Sequence, residues 1–142
     1  MTRLATARDH LEHAEGLTAT LDAAHDAFEN MLAVIRAHED PDDGLFIPLV
    51  MAAASAADGR NALAFAPSLP PHRLHPPAAG EDPSGAGPAW EIARQLAALS
   101  ELLATRLSEA ADAAQDPADR AACTDAARSA RDIHALLTGS GP

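Results

Sequence analysis

Seven prolines fall within the 22 residues from Pro67 to Pro88, and they divide the chain into two halves. Proline fixes φ and carries no amide hydrogen, so neither a helix interior nor a central strand can run through such a stretch. Among glycines and other small residues, residues 67–87 read as a flexible, extended crossover. In polyproline II geometry, at about 3.1 Å per residue, it can reach about 60 Å, the full length of a helical bundle.

Each half has the apolar spacing of helices. Before the crossover, Leu17, Leu21, Ala24, Phe28, Met31, Leu32 and Ile35 recur at steps of three and four, the period of one helical face. Thr2 is placed to cap this first helix, Asp40–Pro41 ends it, and Gly16 is expected to break or fray it. A second helix is expected from Phe46 to Ala66, with Pro48 tolerated in its first turn. After the crossover, Ile92, Leu96, Leu99, Leu103 and Leu107 mark a third helix opening at Gly87–Pro88. Asp116 as cap and Pro117 at the first position open a fourth, with Ala126, Ala130, Ile133 and Leu137 as its stripe and Gly139 as its stop.

Alanine supplies about a quarter of the residues, tyrosine is absent and aromatics make up 3%. Alanine is the best helix former and the strand-favouring residues are scarce, so no strand is expected. The expected fold class is therefore all-α: a four-helix bundle of two antiparallel helix hairpins joined by a long Pro-rich crossover, one domain over residues 1–142.

Charge excludes some partners. The net charge is −11, and the basic side chains are all arginine, as in the alanine-rich proteins of GC-rich bacterial genomes. An acidic chain repels phosphate backbones and anionic lipid, so nucleic acid is not an expected partner. Nor is a membrane expected, because the apolar run Leu45–Ala57 is too short for a span of about 20 residues. Asp9, His10 and Glu12 stand where a secretory signal needs apolar residues, and a cytoplasmic location is expected. The lone Cys123 excludes an internal disulfide and multi-cysteine zinc sites.

The order of two hairpins around one crossover resembles that of ferritin-like di-metal bundles, which implies inward Glu and Glu-x-x-His ligands. The second helix holds neither Glu nor His, and Asp132 and His134 are wrongly spaced, so no metal or cofactor is expected. Asp40-Pro41-Asp42-Asp43-Gly44 shares the opening of a calcium loop but has Gly44 and Met51 where ligands are needed, and reads as a turn. On one unbroken helix, at about 100° per residue, His10 falls on the centre of the apolar stripe with Leu21 and Phe28. His13, His25 and His38 fall near its borders, and the spacing of His10 and His13 suits a shared metal only if a third ligand comes from elsewhere. His72-Arg73-Leu74-His75 in the crossover has no partner motif. Cys123, among alanines, reads as a buried and inert thiol.

The second helix is the most informative element. A bundle helix normally keeps a polar outer face, yet Leu45–Ala57 is apolar almost all round and must be covered on every side. A homodimer is expected to supply that cover through Phe46, Leu49, Val50, Ala53 and Ala57. Directly after come Asp58, Arg60 and Asn61. Asp58 and Arg60 either reach solvent at the rim or pair with a neighbouring helix, or else Arg60 and Asn61 hold an anionic or polar ligand at the base of an apolar pocket; a small apolar or haem-like ligand in the bundle would take His10 or His25 as its contact. The expected function is thus a non-enzymatic protein-interaction module that homodimerises and binds another protein. The alternatives are a bundle holding a small apolar or haem-like ligand, and a small enzyme with a site near Asp58 and Arg60.

Overall fold

The computed structural model describes residues 2–70 and 87–139, and among these it shows five helices and no strand. They are α1 (Arg3–His13), α2 (Leu17–Ala37), α3 (Phe46–Ala64), α4 (Ala89–Ala113) and α5 (Pro117–Thr138). Most of the expected crossover, residues 71–86, lies outside the described residues.

The fifth helix arises because the first expected helix is two. Gly16 has φ 86° and ψ 165° and no neighbouring atom within 4 Å of where a Cβ would stand. That conformation is open essentially to glycine alone, so the chain turns there for backbone reasons rather than packing reasons. Thr2 caps α1 by accepting from the Ala5 amide at 3.1 Å. Asp116 caps α5 by accepting from the Ala118 amide at 2.7 Å, and Gly139 ends α5 in the left-handed region. At α4 the cap is Pro88 rather than Gly87, one residue later than the spacing predicts.

Two corners of the fold are built alike. The links Ala14-Glu15-Gly16 and Ala114-Gln115-Asp116 each join two helices, and each opens with an alanine in extended backbone, ψ 128° and ψ 130°. An arginine satisfies the carbonyl exposed at each corner: Arg106 of α4 donates to Ala14, and Arg120 of α5 donates to Ala114 at 2.9 Å. Unpaired C-terminal carbonyls are the orphan groups of a helix, and the guanidinium is the donor that reaches them. At the first corner α1 folds back along α2, so that Arg3 donates to the Asn30 side chain at 3.1 Å. At the second, Ser108 meets Arg131 at 3.5 Å and Glu101 meets His134 at 4.0 Å, which makes α4 and α5 antiparallel.

Helix α2 packs on α1, α3 and α4, and α5 packs on α3 and α4. The buried apolar residues of all five helices form one cluster, including Leu11, Phe28, Met31, Leu49, Leu63, Leu103 and Ile133. Two contacts fix α3 and the segment after it. At Gly59, a Cβ would stand 2.5 to 3.0 Å from three atoms of the fully buried Phe28 ring, so α2 and α3 approach as closely as they do because that side chain is missing. Beyond α3, Ser68 donates its amide (3.0 Å) and its hydroxyl (2.6 Å) to the buried Asp119 carboxylate in the first turn of α5.

Candidate functional site

The phase of α3 separates two faces that its composition conceals. Leu49, Ala52, Ala56, Gly59 and Leu63 are buried at steps of three and four. On the opposite side, about 180° away at about 100° per residue, lie Ile47, Val50, Met51 and Ala54, all exposed. Ile47 is 63% exposed, Val50 40% and Met51 50%, where large apolar side chains are normally under cover. The face continues through the exposed Asp58 and Asn61 to Phe65, just past the helix end and 81% exposed. Trp90, at the start of α4, is 62% exposed.

Of the residues that the sequence assigns to an interface, Val50 is on this face. Leu49 is wholly buried within the chain, Ala53 and Ala57 lean half-buried on the core, and Phe46 is half-buried on the same flank. The bare surface is therefore turned away from the expected one, and Ile47, Met51 and Ala54 belong to it. Their signal was present in the sequence as the complement of the Leu49–Leu63 stripe. Alanine on both sides of the helix hid it.

Asp58 is exposed, and the Arg60 guanidinium is turned onto Glu29 of α2 at 3.5 Å and onto the Asn61 side-chain oxygen at 3.4 and 3.3 Å. The arginine joins neighbouring helices, and at this exposure the pair contributes little to stability.

The histidines separate as well. The turn at Gly16 rotates α1 out of phase with α2, and α1 buries Leu4, Ala7 and Leu11 while His10 is exposed instead of central to the stripe. His25 is buried on α2, and its Nδ1 has no hydrogen-bond partner among the described residues. His13 donates from Nδ1 to the Asp9 carbonyl at 2.8 Å. That bond first, and then the Asp9 charge, raise its pKa above the ordinary histidine value. Ligand atoms of Asp9, Glu12 and His13 lie within 4.8 Å of one another, but all three residues are exposed and Arg8 already binds Glu12 at 3.0 Å. The group is a solvated charge cluster. The His72–His75 segment lies outside the described residues.

Between α1 and α4 lies a groove of about 300 Å³, half open, floored by Leu4 and Leu99. Arg8 and Arg94 stand at its edge, and each is neutralised by an acid of its own helix, Glu12 and Glu91. The Arg94 and Gln95 side chains hold the Glu91 carboxyl below the usual carboxylate range. Neither His10 nor His25 borders this groove.

Cys123 is wholly buried on α5, and burial, with the charge of Asp119 one turn away, pushes its thiol up to about 11. At neutral pH it stays protonated, and the thiolate is the reactive form. Iodoacetamide is expected to label it only on unfolding. Labelling of the native chain at the rate of a free cysteine would contradict that burial.

No helix among the described residues is long and apolar enough to cross a membrane. No protein-family model, curated protein or solved structure matches the chain.

Proposed function

We propose that the protein is a non-enzymatic interaction module of the cytoplasm that homodimerises and meets another protein, with the outer face of α3 as its contact surface. In this reading α2 to α5 make up a four-helix bundle of two hairpins, with α1 folded back against it. The observation that carries the reading is the exposure of Ile47, Val50 and Met51 side by side on a helix with no ionisable group from Gly44 to Ala57. A contiguous apolar patch on a soluble fold marks a contact surface, since its burial removes apolar area from water. At the groove between α1 and α4, Arg8 pairs with Glu12 and Arg94 with Glu91, and the alternatives of ligand binding and catalysis gain no comparable support.

The substitution Val50→Glu tests the reading. Val50 is 40% exposed, so a carboxylate there reaches water and leaves the fold intact. In a dimer it would be buried without a partner, a loss of several kcal/mol and hence of well over tenfold in affinity. The mass by light scattering is expected to fall from two chains to one, with an unchanged helical circular dichroism spectrum. An unaltered mass would refute the assignment of this face.

A further inference from the structure

We infer that α1 is a hinged strap: it swings off the bundle as one unit about Gly16 while α2 to α5 stay packed, and it uncovers a buried stripe of α2. This motion is separate from the outer face of α3, which is bare whether or not α1 opens.

The link between α1 and α2 suits a hinge. Of its three residues, Glu15 and Gly16 are exposed and only Ala14 is buried. Gly16 has φ 86° and nothing within 4 Å of its Cβ position, so its backbone can turn without displacing a neighbour. Hinges are a few such positions at the ends of elements, where a large change in φ and ψ is absorbed. The pivot itself is anchored, because Arg106 of α4 donates to the Ala14 carbonyl.

Beyond the pivot the strap is lightly fastened. It has 11 residues, against 19 to 25 in the other helices, and its buried face consists of Arg3, Leu4, Ala7 and Leu11. Its seam with α4 stays half open as the groove of about 300 Å³ above Leu4 and Leu99. Thr2 caps the Ala5 amide, Arg8 bonds Glu12 and His13 pairs with Asp9, all within the strap, so none of these contacts opposes its departure. On α2, Asn30 accepts from Arg3 at 3.1 Å, and the residues one or two turns from it on the same face are the wholly buried Ala23, Ala27 and Val34. Segments with few buried apolar contacts open at lower cost than the whole fold. A free helix of this length is marginal in water, so α1 unwinds once it leaves.

Thiol labelling of the full chain tests the strap. Ala27→Cys, in a Cys123→Ala background, places a thiol on the covered stripe, and Cys123 of the unaltered chain is the reference. Each rate with iodoacetamide is taken relative to the same chain unfolded in urea. The Ala27→Cys thiol is expected to react more than about tenfold faster than Cys123. Its rate should also depend less on urea, because the opening exposes less surface than global unfolding. Gly59→Ala loosens α2 from α3, so it should quicken labelling of Cys123 and leave that of the Ala27→Cys thiol unchanged. In the unaltered chain, amide exchange should show one common, low protection from Ala7 to Leu11 and a step to high protection from Leu21 onward. Labelling at the rate and urea dependence of Cys123 would overturn the strap, as would equal quickening of both thiols by Gly59→Ala. Protection that fades gradually toward Thr2, with no step across Gly16, would overturn it without any substitution.

Discussion

Gly59→Ala is expected to destabilise the protein by about 1–3 kcal/mol in urea unfolding, the usual range for an overpacked core. The sign is what makes the result informative. Glycine inside a helix is about 1 kcal/mol worse than alanine by propensity, so α3 taken alone would gain from the change. The fold opposes it because the new methyl would stand 2.5 Å from the tip of the Phe28 ring, and that ring is wholly buried among side chains that leave it no other place. A smaller partner is expected to relieve the clash. Phe28→Leu alone should be destabilising, yet in the Gly59→Ala background it should cost less, a non-additivity readable in a double-mutant cycle. A stabilised Gly59→Ala chain would show that α2 and α3 are not held at this distance.

Asp119→Ala is the second substitution with a large expected effect, a loss of about 1–3 kcal/mol. Its carboxylate is buried and takes two hydrogen bonds from Ser68, so it ties the chain leaving α3 to the first turn of α5. With alanine there, the Ser68 amide and hydroxyl lose their acceptor. Charge-assisted bonds are about twice as strong as neutral ones, which sets the expectation toward the upper part of that range. Local opening should accompany the global loss, and hydrogen exchange at the Ser68 amide should quicken well beyond that of α5. Exchange unchanged at Ser68 would contradict the tie.

Much of the helical order was legible in the sequence. Thr2, Asp116, Pro117 and Gly139 set helix ends through local chemistry, and local chemistry can be read from neighbours along the chain. Gly16 was legible as an interruption, though its consequence was not. A turn rotates every later residue about the helix axis, so the phase that set His10 on the apolar stripe held only for an unbroken helix. The faces of α3 were hidden for another reason. With alanine at positions 52, 53, 54, 56 and 57, hydropathy does not distinguish the buried side from the bare one. Size does not either, since Leu49 and Leu63 lie on the core side and Ile47, Val50 and Met51 on the bare one; the local mark of the core side is Gly59, whose missing side chain admits Phe28. Contacts between residues far apart in the chain, such as Ser68 with Asp119 or Arg106 with Ala14, leave no periodic trace. They depend on which helices are neighbours, and spacing along the chain does not specify that.

Sedimentation equilibrium of the unaltered chain across a concentration series tests the central claim most directly, because a bare apolar face on α3 is either covered by a partner or left in water. The predicted result is a mass of two chains, each of 14.7 kDa, at micromolar concentration, giving way to one chain on dilution. A mass of 14.7 kDa throughout, with the Val50→Glu chain indistinguishable from it, would contradict self-association through this face.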